Sequence, residues 1–270
     1  MSDCNHDCAN CSSKCENVIT FEKPNEGSKI KKVIGVVSGK GGVGKSLVTA
    51  LLASKFHRLG YSVGVLDADI TGPSVPKAFG VNGKAYGNDK GFFPLESRNG
   101  IKVMSSNLLL KEDTDPVIWR GPVIAGLVKQ FWTDCIWGDV DYMFVDMPPG
   151  TGDVPLTVFQ SIKLDGIVIV TSPQELVGMI VQKAVKMATM MNIKVVGLVE
   201  NFSFALCPNC NEKFYPFGTG KTEEAARQYG IDFLGKLPIR PDVAKLVDEG
   251  LVEAVSMEEI SKAVDAILAI

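Results

Sequence analysis

The chain has no surplus of positive charge. Its 28 lysines and arginines are outnumbered by 31 aspartates and glutamates, for a net charge of −3, and no basic run exceeds Lys29–Lys32. That excludes the electrostatic footprint of a nucleic-acid or acidic-membrane binder. No apolar stretch approaches the roughly 18 residues needed to cross a bilayer. The polar, cysteine-bearing N-terminus lacks the apolar core of a signal peptide. These absences set the expectation of a cytoplasmic protein with neither nucleic acid nor membrane as partner. Internal repeats and low-complexity tracts are missing as well. Residues 1–21 have few apolar side chains before Val18 and cannot build a core unless a metal organises them.

What is present is a core-forming composition. At 46% hydrophobic and 22% charged, 270 residues suffice for one large α/β domain or two small ones. The stretch Val33–Ser46, VIGVVSGKGGVGKS, organises the rest. A β-branched run reads as a buried strand, Gly39–Gly44 as a glycine-rich turn, and Lys45-Ser46 as the opening of a helix. This is the G-x-x-x-x-G-K-[ST] phosphate loop in its strand–loop–helix setting. Gly39, Lys40, Gly41, Gly42, Val43 and Gly44 would turn backbone N–H groups toward an anion, and the helix N-terminus adds its partial positive charge. Lys45 would reach the β- and γ-phosphates, and Ser46 would bind Mg²⁺. No N-K-x-D motif for guanine appears, which favours ATP.

Further strands are expected at Ser62–Leu66, Tyr142–Val145, Gly166–Val170, Lys194–Val199 and Ile231–Leu234. Helices are expected at Leu47–Leu59, through Trp132, at Gln174–Met191, Pro241–Glu249 and Met257–Leu268. Phe92–Ser105 reads as a hairpin turning at Asn99-Gly100. The alternation implies an α/β fold with a mostly parallel central sheet and helices on both faces. Residues 1–31 read as a cysteine-rich segment plus the polar linker Phe21–Lys32, and 32–270 as the phosphate-loop domain. Met187, Met190 and Met191 read as packing residues, and His57 as a surface or partly buried one.

Carboxylates follow the strands at the edge where open α/β sheets bind ligands. Asp146 suits Mg²⁺ opposite Ser46, and Asp67 or Asp69 could orient or deprotonate a water attacking the γ-phosphate. Of the seven cysteines, Cys135 reads as a core residue on an apolar helical face. The other six are clustered, at Cys4, Cys8, Cys11 and Cys15 and at Cys207 and Cys210, a pattern that in a reducing compartment points to metal.

The glycine loop carries a second lysine, Lys40. Gly39–Ser46 resembles the deviant Walker A motif of the MinD, ParA and nitrogenase iron-protein superfamily. Asp67–Ser74 (DADITGPS), Trp119-Arg120-Gly121-Pro122, Asp146–Asp153 (DMPPGTGD) and Cys207-Pro208-Asn209-Cys210 narrow the resemblance to the Mrp/Nbp35 (ApbC-like) iron–sulfur cluster carrier ATPases. The match runs from about Lys32 to the C-terminus. It implies a homodimeric ATPase that assembles or delivers [4Fe–4S] clusters to apoproteins, with ATP and Mg²⁺ as cofactors. It further implies that Lys40 contacts ATP across the dimer, that Asp69 prepares the water, and that Asn201 and Pro238 border the adenine. Relatives carry an Asp in the helix after Pro173-Gln174, where this chain has Val177–Val181, so no such role is carried over.

A [4Fe–4S] cluster wants about four thiolates. The Cys207/Cys210 pair supplies two, and a twofold dimer would supply the rest. A half zinc knuckle and a thioredoxin-like redox pair are the other readings of that pair. The N-terminal C-x₃-C-x₂-C-x₃-C set offers four thiolates in one segment, enough for an iron–sulfur cluster or zinc, with His6 able to replace one cysteine. Two other functions fit the same loop: a MinD/ParA-like spatial organiser and a nucleotide-gated metal insertion factor. The organiser needs a basic amphipathic tail or a basic patch, and Met257–Ile270 sets Glu258, Glu259 and Asp265 against Lys262 alone.

Overall fold

The computed structural model describes residues 21–69, 74–109, 121–150, 152–173 and 177–270. Strand β1 (Ser28–Ser38) runs into the glycine loop and helix α1 (Lys45–Arg58). There follow β2 (Val63–Asp67), α2 (Val75–Ala78), the short strands β3 (Gly87–Asn88), β4 (Gly91–Phe92) and β5 (Leu95–Glu96), β6 (Lys102–Met104) and α3 (Gly121–Thr133). The chain continues through β7 (Gly138–Asp146), α4 (Asp153–Ser161), β8 (Gly166–Thr171), α5 (Val177–Met190) and β9 (Val195–Leu206). It closes with β10 (Lys213–Phe214), α6 (Thr222–Gln228), β11 (Phe233–Pro238), α7 (Pro241–Asp248) and α8 (Ser261–Leu268).

Among the described residues the main sheet has nine strands, in the order β10-β9-β8-β1-β7-β2-β6-β5, with β11 also on β9. All pairings are parallel except β5 with β6 and β10 with β9. Strands β2 and β8 are buried at every position, as expected of apolar runs covered on both faces. Alternate residues of β1 feed two cores. Ile34 and Val36 pack with Leu51, Phe56, Phe79 and Ile267 of the α1, α2 and α8 side. Val33 and Val37 pack with Phe131, Phe159, Val181 and Ala225 from α3 to α6. Phe56 is fully buried and meets Tyr61, Tyr142 and Phe144; truncating it to alanine would cost about 3–5 kcal/mol.

The mostly parallel α/β architecture is as the sequence implies, and so is the hairpin. Leu95 pairs with Val103 and Glu96 with Lys102, and Gly100 supplies the left-handed φ of 97° in the turn. Several local expectations change. Strand β1 begins at Ser28 because its polar end pairs with β7, Lys29 opposite Asp139, so part of the expected linker belongs to the sheet. The arm before it is docked too. Glu22 N–H donates to the Ser161 carbonyl (2.8 Å), Trp132 Nε1 donates to the Glu22 carbonyl (2.9 Å), and Lys129 pairs with the Glu22 carboxylate (2.6 Å).

Cys135 is buried as expected, but past the end of α3, in a bridge with Phe92. Met187 is buried, whereas Met190 is 82% exposed. Strand β9 does not stop before Glu200 but runs on to Leu206. The ends of β1, β2, β7 and β9 thus converge at one sheet edge.

Candidate functional site

The loop is shaped by backbone that only glycine takes easily. Gly42 and Gly44 have φ of 77° and 79°, the left-handed region. A Cβ on Gly39 would lie 2.0 Å from Ile180 Cγ2, and one on Gly44 would lie 2.1 Å from Asn201 Nδ2. Gly44 is also the N-cap of α1, with no side chain closing the helix end and no acidic residue in its first turn. Free N–H groups at the end of a 14-residue helix are what an anion needs. Beside them lies a cavity of about 340 Å³, lined by Gly41, Gly44, Ser46, Asp69, Ala78 and Val247 among others.

Lys45 is buried, and its Nζ lies 2.6 Å from Asp146 Oδ1 and 3.7 Å from Asp69 Oδ2. Ser46 Oγ donates to Asp146 Oδ2 at 2.5 Å. Thr49 Oγ1 lies 3.0 Å from both Asp146 Oδ1 and the Lys45 carbonyl, which share its one proton. Four side chains, Lys45, Ser46, Thr49 and Asp146, therefore form one network. Its geometry fits Mg²⁺ and phosphates: the Ser46 hydroxyl and the Asp146 carboxylate already face each other, and Lys45 holds a carboxylate that phosphates would displace.

Asp67 and Asp69 part company. Asp67 is fully enclosed, pairs in register with Asp146, accepts from Ser105 Oγ (3.0 Å) and from the Asp69 N–H (3.1 Å). Burial, then the nearby Asp146 carboxylate, pushes its carboxyl well above the usual range, against the pull of Lys45. It braces the turn, whereas Asp69 lines the cavity. Lys40 is half-buried, with its carbonyl accepting from Ser38 Oγ (3.0 Å). The Gly150 N–H donates to the Ser38 carbonyl (2.8 Å), tying the segment after β7 to the loop.

Asn201, within β9, and Pro238, at the end of β11, are both buried. Asn201 Nδ2 donates to the Val43 carbonyl at 3.0 Å. Its amide braces the loop from beneath, and neither residue lines the cavity described above.

The cysteine pair sits at the tip of the β9–β10 hairpin, not in a plain loop. The Cys207 N–H donates to the Glu212 carbonyl, and the Asn211 N–H returns to the Cys207 carbonyl, both at 2.9 Å. Cys207 is half-buried and Cys210 exposed. N–H groups of Asn209 and then Cys210 point at the Cys207 sulfur and hold its thiol below the ordinary value, favouring thiolate. Lys213 stacks over the Phe204 ring, 4.4 Å from its centroid, and anchors the hairpin. Around it stand exposed Leu206, Phe214, Tyr215 and Phe217, an apolar rim that sequence reasoning missed although Phe214-Tyr215 and Phe217 stand out in a polar stretch. Thr49 was missed too; only its position one helical turn after Lys45 hints at it. Burial pushes the Cys135 thiol upward and keeps it inert.

Among the described residues no group of three or more His, Cys, Asp or Glu is placed to hold a metal, so within one chain the Cys207/Cys210 pair remains a two-ligand site. Cys4, His6, Cys8, Cys11 and Cys15 lie outside the described residues, as do Ile70–Pro73, Trp119-Arg120 and Thr151.

Comparison with known proteins places this geometry. The chain is 43% identical over 282 aligned residues to an iron-sulfur cluster carrier protein of Methanocaldococcus jannaschii, covering 99% of this chain and 97% of that one. It is 46% identical to the carrier protein of Pyrococcus horikoshii, covering 83% and 79%. A nucleotide-binding protein of Archaeoglobus fulgidus, solved in complex with ADP and with cobalt found, superposes with a TM-score of 0.76 at 47% identity, covering 84% of this chain and 90% of that one. MinD of Aquifex aeolicus shares the fold at a TM-score of 0.57 and 18% identity, covering 88% and 95%. The model of the ParA family described as NUBPL iron-transfer P-loop NTPase matches residues 29–270, and the chain belongs to that family of nucleotide-binding iron–sulfur cluster carriers.

Proposed function

We propose that the chain binds and hydrolyses ATP with Mg²⁺, and that as a homodimer it carries a [4Fe–4S] cluster for transfer to apoproteins. The observation that carries the reading is the cysteine hairpin: two thiols at its tip, one biased to thiolate by backbone N–H groups, in a chain that closely resembles cluster carriers. A [4Fe–4S] cargo needs about four thiolates, and two hairpins across a twofold axis provide them.

At the nucleotide, Lys45 would exchange Asp146 for the β- and γ-phosphates, while the N–H groups of Gly39 to Gly44 cradle them. Ser46 and Asp146 would hold Mg²⁺, which neutralises phosphate charge. Asp69, beside Lys45 at the cavity, is the group that orients and deprotonates the attacking water. Lys40 would contact the nucleotide of the partner subunit. Asn201 and Pro238 would stand behind the adenine, with the Asn201 amide committed to the loop. The Cys4–Cys15 set would hold a second iron–sulfur cluster or zinc in a separate segment, 1–31, ahead of the domain 32–270. The cytoplasm is the compartment that suits these free thiols.

The spatial-organiser alternative loses support from α8. That helix commits Ala263, Val264 and Ile267 to the core, so its apolar face is not left for a membrane surface.

The test is anaerobic reconstitution with iron and sulfide, followed by Mössbauer spectroscopy and mixing with an apoprotein that gains activity from a [4Fe–4S] cluster. The expected result is about four iron atoms per dimer dependent on Cys207 and Cys210 and activation of the acceptor. A protein that hydrolyses ATP but binds no iron at Cys207/Cys210 would overturn the reading.

A further inference from the structure

Between the phosphate loop and the cysteines, β9 is not a regular strand. Over the same span β11 advances from Lys236 to Pro238 while β9 advances from Glu200 to Phe204, so β9 bulges at Asn201–Ser203. Phe202 takes φ of 56° there, a left-handed conformation that is strained for a bulky residue and persists only where neighbours enforce it.

Both sides of the bulge are held. On one side lies the phosphate loop: Asn201 Nδ2 donates to the Val43 carbonyl, and Gly44 is so close that a Cβ would sit 3.0 Å from Phe202 Cζ. On the other lie the roots of the cysteine hairpin. Ser203 Oγ donates to Glu200 Oε1 across the bulge, and Lys236 Nζ stands 3.8 Å from the same oxygen. Lys236 also donates to the Thr219 carbonyl (3.3 Å). Gly220 passes over Glu200 Oε2, where a Cβ would come within 2.4 Å, and that oxygen has no hydrogen-bond partner among the described residues. Directly downstream, the Phe204 carbonyl accepts from Ile239 N–H (2.7 Å), and Cys207 follows three residues later.

We propose that Asn201 is a positioning residue that sets the phosphate loop through Val43 and, through the β9 bulge, makes the accessibility of the Cys207 and Cys210 thiols depend on whether the loop holds a nucleotide. Phosphates gathered by the loop N–H groups pull on Val43 and Gly44, the two residues the bulge touches. Because the bulge is braced from both sides, a ligand that favours a different arrangement of it shifts both ends together. This inference rests on the reading that the loop binds nucleotide. It does not require that the cysteines bind a cluster, so the two can fail separately.

The experiment follows alkylation of Cys207 and Cys210 by iodoacetamide, resolved by peptide mass spectrometry, on the full chain freed of metal and kept reduced. Rates are compared without nucleotide, with saturating Mg–ADP and with a non-hydrolysable ATP analogue. In the native chain at least one nucleotide should change the rate by about fivefold or more, the lower end of allosteric coupling. Asn201→Ala, saturated with nucleotide as checked by calorimetry, should cut that response to under about twofold. Phe202→Gly takes positive φ without strain and removes the ring against Gly44; it should blunt the response similarly and serves if Asn201→Ala does not fold. Equal alkylation rates with and without nucleotide in the native chain would overturn the proposal. So would a full response in the saturated Asn201→Ala or Phe202→Gly protein, which would confine Asn201 to holding the loop.

Discussion

The phosphate loop and the cysteine hairpin stand at the same edge of one sheet and are built on opposite principles. The loop is over-determined. Lys45, Thr49, Asp67 and Asp146 are buried and bonded to one another or to the turn, and Asn201 holds the backbone from below. The hairpin is under-determined. Its thiols reach solvent, Leu206, Phe214, Tyr215 and Phe217 around it are exposed, and it supplies two ligands where a cluster wants about four. A site that must hold a fixed charge pattern profits from burial, whereas the loading and release proposed for the hairpin need an open site.

The largest effect should come from Lys45→Ala. Nucleotide binding should fall below detection in calorimetry, since the phosphates lose their buried cation. The same change leaves Asp146 enclosed without its counter-charge, which should lower stability by about 3–5 kcal/mol in urea unfolding. A fully stable variant would mean the network is less tightly built than the contrast requires.

Next, Cys207→Ser with Cys210→Ser should remove about four iron atoms per dimer after reconstitution. Stability should stay within about 0.5 kcal/mol of the native chain, because the changed atoms are at the surface. Unchanged iron in that double variant, with all of it lost on replacing Cys4, Cys8, Cys11 and Cys15, would assign the cargo to the N-terminal cysteines instead.

Asp69→Asn sharpens the division inside the loop region. Nucleotide affinity should change little while phosphate release slows by about 10²-fold. Equal loss of binding and turnover would move Asp69 from water activation to phosphate or metal binding.

The smallest effect concerns Asp67. Its carboxyl is raised by burial above the free value of 3.8, so the folded state keeps a proton that the unfolded chain has lost. The stability this proton contributes is full below that free value and fades as pH rises through the folded value. Asp67→Asn needs no proton. It should therefore gain on the native chain as pH rises above about 4 in nucleotide-free urea titrations. A pH profile parallel to that of the native chain would place Asp67 as an ion held by Lys45.

The loop was legible because it is contiguous: Gly39 to Ser46 carry their own chemistry and sit between a β-branched strand and a helix. The central strands were legible for a similar reason, since burial on both faces demands unbroken apolar runs such as Gly166–Val170. Strand β1's start at Ser28 was not, because polar residues at the margin of a sheet pair only if a neighbour such as Asp139 is there to meet them. Nor could the run of β9 past Glu200 be read, since a bulge with positive φ at Phe202 leaves no periodic trace.

By itself the sequence determined the α/β fold, the anion-binding loop and the count of cysteines, all properties of neighbouring residues or of composition. Tertiary structure alone decided that Asp67 braces while Asp69 lines the cavity. It also decided that Asn201 reaches Val43, 158 positions away in the chain, and that the cysteines crown a hairpin with an apolar rim. Those outcomes depend on contacts between distant segments, where burial and the direction of a single hydrogen bond assign each side chain its work.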